Sequence, residues 1–145
     1  MILDELVARS RERVAVAKLL EPESALRDQV AHATPPVGPS FVEALRAPGV
    51  SLIAEIKRAS PSRGALNAHL DPGAQALRYA GAGADAISVL TEPTRFDGSL
   101  GDLRAAHAAL AAPGMPRPLL RKDFIVDTYQ LLEARLAGAA AVLLI

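Results

Sequence analysis

The sequence of 145 residues contains no cysteine and no tryptophan, and only 3% of its residues are aromatic. The absence of cysteine excludes a disulfide framework, a thiolate metal site and a thiol nucleophile. So few aromatic side chains exclude the stacking platforms that bind single-stranded nucleic acids. Net charge is also lacking, because 16 Lys and Arg residues balance 16 Asp and Glu residues. We therefore expect no nucleic-acid partner and no attraction to a membrane surface.

Long hydrophobic runs are missing as well. The apolar runs stop well short of the roughly 18 residues that a transmembrane helix needs. Asp4 and Glu5 near the N-terminus are unlike the positively charged start of a secretory signal. Hydrophobic residues still make up 50% of the chain, which is enough for a packed core. These features predict a cytoplasmic protein without a membrane partner.

Lysine is the scarce basic residue. Only three of the 16 basic residues are lysines, namely Lys18, Lys57 and Lys122, and the other 13 are arginines. An arginine guanidinium stays charged in practice, whereas a lysine ammonium can give up a proton. Because most lysines are solvated surface charges, the place of each lysine in the fold decides whether it is a candidate for chemistry.

The N-terminal extension, residues 1–48, is predicted to be helical. Apolar residues recur there at helical spacing, and a proline-rich breaker interrupts the pattern at residues 34–39. Ser40 and Glu43 have the spacing of a capping box, which starts a last short helix. The predicted helices cover residues 2–20, 22–33 and 40–47.

The second unit, residues 49–145, alternates strands with helices. The predicted strands cover residues 51–57, 85–91, 119–124 and 141–145. The predicted helices cover residues 71–83, 99–111 and 127–138, and they are capped by Asp71, Ser99 and Asp127. Residues 94–98 are predicted to form a loop, and the proline-rich residues 113–118 are predicted to break the helical pattern. This alternation is typical of a parallel sheet with right-handed crossovers.

The repeat length favours an α/β fold of the (β/α)₈ barrel type, which uses about 30 residues per strand–helix unit. Four strands cannot close such a barrel, so the chain would cover the extension and half of the barrel. The apolar segment at residues 141–145 would form an unprotected edge strand. We therefore expect the N-terminal piece of a longer protein. The alternative is a small complete α/β sandwich in which this last strand is central.

Two of the three lysines fall at the carboxyl ends of predicted strands. Side chains alternate along a strand, so Glu55 and Lys57 share one face of the first strand, while Lys122 ends the third. Ligands of parallel α/β folds bind at this end of the sheet. Burial of an ammonium group is costly unless an anion pairs with it. Lysines at this position are therefore consistent with a nearby anionic ligand or with Glu55 as the partner. The alternative is purely structural, with Lys57 paired to Glu55 and Lys122 paired to Asp123 or another acid.

The loop over residues 58–64 follows at the same end and contains two hydroxyl groups and two guanidinium groups. Ser60 is a candidate for binding a carboxylate or phosphate there, although Ser/Pro/Gly clusters are usually turns. Gly81 and Gly83 follow a helix, so they predict a helix end and not a dinucleotide site. The histidines have no partners at ligand spacing, so no metal site is predicted, and His107 is expected on the surface of its helix.

Three motifs mark the ends of the first three predicted strands: AEIKRASPS at residues 54–62, LTEPTRFDGS at 90–99 and LRKDFIV at 120–126. Their order and spacing, with the closing GAAAVLLI and the helical extension, resemble the indole-3-glycerol-phosphate synthase family. The resemblance is firm from residue 40 onward and loose before it.

The resemblance implies a (β/α)₈ barrel of tryptophan biosynthesis, with no metal or organic cofactor and a small anionic phosphorylated substrate. The reaction converts 1-(2-carboxyphenylamino)-1-deoxyribulose 5-phosphate to indole-3-glycerol phosphate and releases CO₂ and water. By resemblance, Lys122 would be the general acid towards the ribulose oxygen, Lys57 would contact the substrate, and Glu55 would orient the lysines. Phe96 and Phe124 would pack on the anthranilate ring. The division of proton transfers between the two lysines stays open.

The chain departs from the family in length. Strands five to eight are absent, and with them the family's second catalytic Glu, an Asn and the phosphate-binding loops, so this chain alone is expected to be inactive. Two other hypotheses stay open. The first is an enzyme of the aldolase type, in which a lysine at a barrel strand end forms a Schiff base. Alternatively, a non-catalytic half barrel would self-associate through its open sheet edges.

Overall fold

The computed structural model describes residues 1–36, 38–111 and 114–145. The breakers predicted at 34–39 and 113–118 therefore each include a residue, Val37 and Pro113, that lies outside the described part. The extension is helical as predicted, with helices α1 (Ile2–Leu20), α2 (Glu23–His32) and α3 (Phe41–Leu45). The capping box before α3 is present, because the Ser40 hydroxyl accepts from the Glu43 N–H at 3.2 Å and the Glu43 carboxylate accepts from the Ser40 N–H at 2.9 Å.

Within the part of the chain that the structure describes, six strands follow the extension, and four of them form the main sheet. The strands are β1 (Ile53–Ile56), β2 (Ala59–Ser60), β3 (Gly64–Ala65), β4 (Ala86–Leu90), β5 (Leu119–Lys122) and β6 (Ala141–Val142). The main sheet has the order β1-β4-β5-β6, and all of its pairings are parallel. This confirms the predicted α/β architecture. Strands β2 and β3 form a small antiparallel hairpin within the segment that was expected to be a plain loop.

Helices connect the strands of the main sheet. They are α4 (Pro72–Gly81), α5 (Pro93–Phe96), α6 (Leu100–Leu110) and α7 (Tyr129–Leu136). Helix α5 was not predicted, and the expectation of a loop over residues 94–98 was wrong for residues 94–96. It forms because the Glu92 carboxylate accepts from the N–H groups of Thr94 and Arg95 at 2.8 and 2.7 Å, while Pro93 occupies the first helical position.

Two of the three predicted helix caps are present. Asp71 accepts from the N–H of Ala74 at 3.0 Å, and Ser99 accepts from that of Asp102 at 3.1 Å. The prediction of Asp127 as the third cap was wrong, since Thr128 is the N-cap of α7 and makes no side-chain cap bond. The Asp127 carboxylate instead accepts from the N–H of Tyr129, the first helical residue, at 2.8 Å. The two caps fix the first residues of these helices, Pro72 in α4 and Leu100 in α6.

The hydrophobic core lies between the sheet and its helices. Its largest side chains are all at most 2% exposed: Ile56, Ile87, Val89, Leu103, Leu110 and Leu119. Burial of a side chain of this size contributes about 1.5–3 kcal/mol. Because alternate strand residues enter this core, the intervening residues point to the opposite face of the sheet.

His107 is partly buried, which corrects its predicted surface position. It packs against Gly138, where φ is +93° and a Cβ atom would lie only 2.2 Å from His107 Cγ. The missing side chain of glycine therefore makes room for the imidazole between α6 and the turn after α7. As predicted, Gly81 and Gly83 belong to a helix end, since α4 stops at Gly81 and Gly83 has φ +93°.

The described part of the chain contains no helix with the length and apolar character needed to cross a membrane.

Candidate active site

The face of the sheet opposite the helices carries a group of polar side chains, which we call the cleft face. In the parallel register Glu55 lies beside Ser88, and Leu90 lies beside Lys122. Register partners in a parallel sheet direct their side chains to the same face. Ile56 enters the core, so Glu55 and Lys57 on either side of it point to the cleft face.

Glu55 bridges the two lysines that the sequence singled out. One carboxylate oxygen accepts from Lys57 Nζ at 2.9 Å, and the other accepts from Lys122 Nζ at 2.6 Å. The structure thus brings Glu55, Lys57 and Lys122 together. The pairings of the structural alternative are also present, because Lys57 pairs with Glu55 and Lys122 pairs with another acid, which is Glu55 and not Asp123.

Strand β4 lies between the strands that carry the two lysines. The two lysines therefore do not lie on directly neighbouring strands. The Glu55–Lys122 ion pair reaches from β1 to β5 and so spans β4 on the cleft face. A long lysine side chain makes this span possible.

The pKa of the Glu55 carboxyl lies below its ordinary value. Burial opposes this by favouring the neutral acid, but the hydrogen bonds from Lys122 and then Lys57 outweigh burial. The three side chains remain reachable, with exposed fractions of 28% for Glu55, 32% for Lys57 and 38% for Lys122. In this arrangement one carboxylate holds two ammonium groups in an accessible cleft. Ammonium groups held in this way are suitable proton donors to a bound anionic molecule.

Side chains that the sequence analysis missed hold the end of β1 in place. The Tyr79 hydroxyl on α4 donates to the carbonyl of Glu55 at 3.1 Å. Arg58, next to Lys57, makes two hydrogen bonds to the Asp102 carboxylate at 3.1 and 3.0 Å. Both contacts connect the strand that carries Glu55 and Lys57 to helices on the other side of the sheet.

A second missed feature is an ion-pair network between α1 and the ends of β4 and β5. Arg13 donates to Glu92 at 3.1 Å and to Asp123 at 2.9 Å, and these two carboxylates are 0% and 1% exposed. Asp123 also accepts from Thr91 at 2.8 Å and from Arg121 at 3.1 Å. The network fixes the segment directly after Lys122.

A cavity of about 220 Å³ adjoins this network, away from the cleft face. Its charged groups are already paired, since Arg13 bonds Asp123 and Arg121 bonds Glu133 at 3.1 Å. Within residues 1–36, 38–111 and 114–145, no group of three His, Asp or Glu is placed to hold a metal ion. The cleft face is therefore the stronger candidate site.

The remaining predicted site residues lie near the same edge of the sheet. Ser60 is buried in the β2–β3 hairpin, and its hydroxyl accepts from the N–H of Arg63 at 3.2 Å. Phe96 ends α5 and Phe124 follows β5, and both are partly buried. The Phe124 carbonyl accepts from the Ser10 hydroxyl of α1 at 2.5 Å, so the extension contacts the segment that carries this aromatic ring.

Residues 3–145 match the family model described as indole-3-glycerol phosphate synthase. Curated proteins named indole-3-glycerol phosphate synthase are also similar to the chain. The protein from Nocardioides sp. (strain ATCC BAA-499 / JS614) is 49% identical over 144 residues, and that from Mycolicibacterium smegmatis is 46% identical over 144 residues. The protein from Salinibacter ruber is 47% identical over 146 residues.

Each of these alignments covers 99% of the chain but only 53%, 50% and 52% of the three relatives, in the same order. The chain thus spans about half the length of the curated relatives it matches, and it corresponds to their N-terminal portion.

Proposed function

The chain belongs to the indole-3-glycerol phosphate synthase family, and from this premise we propose that it supplies the N-terminal half of an enzyme of tryptophan biosynthesis. The proposed reaction converts 1-(2-carboxyphenylamino)-1-deoxyribulose 5-phosphate to indole-3-glycerol phosphate, CO₂ and water. The family is one of (β/α)₈ barrels, and the four parallel strands with their helices match half of such a barrel. The observation that carries the proposal is the bridge of Glu55 between Lys57 and Lys122 at the carboxyl edge of this sheet.

The net reaction defines what the site must supply. Ring closure forms a carbon–carbon bond to the ribulose carbonyl carbon, and the carbonyl oxygen takes up a proton. The ring carbon that forms this bond is the one that carries the carboxylate, and CO₂ leaves it while the electrons of the broken bond restore the aromatic ring. The new hydroxyl leaves as water after a second protonation, and the neighbouring CH₂ loses a proton as the double bond of the indole forms. Two proton transfers to one oxygen call for a positioned acid, which contributes about 10²–10⁴-fold to such a rate.

We assign the role of this acid to Lys122, with Lys57 as a substrate contact and Glu55 as the group that orients both ammonium ions. The two hydrogen bonds to Glu55, at 2.6 and 2.9 Å, support the orienting role of this carboxylate. The two cations would also stabilise negative charge on the substrate oxygen.

The proposed substrate is small, anionic and phosphorylated, and it contains an aromatic ring. Phe96 and Phe124 are proposed as walls for this ring, because apolar surfaces with a few polar groups are typical of such sites. Ser60 is proposed as a further substrate contact. Its bond to Arg63 shapes the hairpin beside Lys57, which supports a place at the mouth of the site. A cytoplasmic location stays a prediction.

The proposal is tested by completing the fold. In what we call the extended protein, residues 1–145 are followed by the C-terminal half of the Nocardioides relative. We expect the extended protein to convert the substrate to a fluorescent indole product and to restore growth without tryptophan to a bacterium that lacks this enzyme. A folded extended protein without turnover would refute the proposed function.

A second candidate function concerns residues 1–145 alone, as a non-catalytic half barrel that self-associates. The outer strands β1 and β6 each have one neighbour in the main sheet, and Ile53 on β1 is 44% exposed. Such edges favour pairing with another chain. We expect the chain alone to elute as an oligomer in sizing chromatography and to show no turnover. A monomeric and active chain would contradict both this candidate and the site assignment.

A Schiff-base lysine of the aldolase type is the remaining alternative. It requires a free amine that attacks a carbonyl carbon. The bond of Lys122 to a carboxylate at 2.6 Å favours a proton donor instead. Treatment of the extended protein with borohydride and substrate should therefore trap no covalent adduct, and an adduct on either cleft lysine would favour the aldolase reading.

A further inference from the structure

Ser88 carries an unusual hydroxyl group in the middle of β4. Every residue of this strand is buried, and Ser88 is 5% exposed. Its Oγ is the one buried side-chain nitrogen or oxygen of the described residues that has no hydrogen-bond partner in the protein. A buried hydroxyl without a partner lowers stability, and an alanine would fill nearly the same space without that cost.

The hydroxyl points to the proposed site. Ser88 lies directly beside Glu55 in the register of β1 and β4, and therefore on the cleft face. On its other side it lies beside Leu120 of β5. The Glu55–Lys122 ion pair spans β4 on this same face. Ser88 is thus on the floor of the cleft, next to the carboxylate that joins the two lysines.

The chain satisfies its other deeply buried serine. Ser10 is 0% exposed, and its hydroxyl donates to the carbonyl of Phe124 at 2.5 Å and accepts from Gln130 at 3.0 Å. Ser10 and Ser88 are therefore a matched pair of buried hydroxyls, one with protein partners and one without.

We propose that Ser88 is a positioning residue whose hydroxyl holds a water molecule against the Glu55 carboxylate, and this inference rests on the proposed function. Register partners on neighbouring strands are about 4.8 Å apart. One water that bonds two oxygen atoms at about 2.8 Å each spans a separation of this size. Each oxygen of Glu55 accepts one lysine bond, and a carboxylate has about four acceptor sites. A water that donates to a free site keeps Glu55 ionised and oriented between Lys57 and Lys122.

The test compares Ser88→Ala with Ser10→Ala in the extended protein. Ser88→Ala should lower the melting temperature less than Ser10→Ala, because it removes one water-mediated bond, whereas Ser10→Ala takes a hydrogen-bond partner away from two buried protein groups. Ser88→Ala should also lower kcat about tenfold with little change in KM, as expected for the loss of a hydrogen bond to a charged group. The acidic limb of the pH profile of kcat/KM should move to higher pH, because the pKa of Glu55 rises when it loses a donor.

Three results would overturn the inference. One is a Ser88→Ala variant with the kcat and pH profile of the unmodified extended protein. Another is a loss of melting temperature equal to that of Ser10→Ala, which would mean that Ser88 has a protein partner. The third is a crystal structure with no ordered oxygen between Ser88 and Glu55. The crystal structure and the melting temperatures need no turnover, so they judge Ser88 even if the unmodified extended protein is inactive and the proposed function fails.

Discussion

Replacement of Arg13 by alanine is the perturbation whose cost follows most directly from the structure. Arg13 is 30% exposed, but its partners Glu92 and Asp123 are almost completely buried. Removal of one member of a buried ion pair costs about 3–5 kcal/mol, because the other charge stays behind without compensation.

The remaining contacts of the two carboxylates place the cost at the lower end of that range. Glu92 keeps its bonds to the N–H groups of Thr94 and Arg95. Asp123 keeps its bonds to Thr91 and Arg121. We therefore expect Arg13→Ala to lose about 3 kcal/mol of the free energy of unfolding.

Thermal unfolding of the extended protein is the assay. A loss of this size lowers the melting temperature by about 6–12 °C, since 1 kcal/mol corresponds to about 2–4 °C for a chain of 150–250 residues. Arg9→Ala is the matched control on the same helix, because Arg9 pairs with Glu12 at 3.2 Å while both are more than half exposed. This exposed pair contributes at most about 0.5 kcal/mol. Equal shifts for the two variants would refute the account of the network.

Two further predictions concern the contact between His107 and Gly138. Gly138→Ala should lower the melting temperature more than Gly83→Ala, because both glycines have φ +93° but only Gly138 has a side chain within 4 Å; equal losses would contradict the steric argument. Burial, and to a lesser degree the charge of Arg135, lowers the pKa of His107. The unfolded chain therefore binds this proton more readily, and stability should fall as the pH drops below about 6.5. His107→Gln should flatten the dependence of melting temperature on pH between 7.5 and about 5, and an unchanged slope would exclude His107 as its cause.

The features predicted correctly from the sequence depend on local patterns. Alternation along β1 placed Glu55 and Lys57 on one face, because residues two apart in a strand always share a face. The caps at Asp71 and Ser99 were predictable, since they need partners only three residues away. Helix α5 was missed although Glu92 and Pro93 have the pattern of a helix start, a capping side chain followed by a proline in the first turn. The helix is only four residues long, so no helical periodicity marks it.

The features that were missed depend on distant partners. Arg13 bonds residues 79 and 110 positions away, and no periodicity along α1 marks it among the other arginines. The surroundings of His107 are rich in alanine and suggest an exposed helix, but Gly138 brings another segment against the imidazole. The unpartnered hydroxyl of Ser88 is likewise invisible in the sequence, since it depends on what lies on both sides of β4.

The central claim is that Lys122 is the acid of the proposed reaction. The most direct test measures kcat and KM of Lys122→Ala in the extended protein, with Lys18→Ala as the control. Lys18 is the third lysine of the chain, and it pairs with Asp127 at 2.8 Å away from the cleft face. We predict that Lys122→Ala lowers kcat by about 10²–10⁴-fold with a smaller change in KM, that Lys122→Arg fails as well, and that Lys18→Ala keeps its turnover. A Lys122→Ala variant close to the unmodified protein, with the large loss in Lys57→Ala instead, would contradict the assignment.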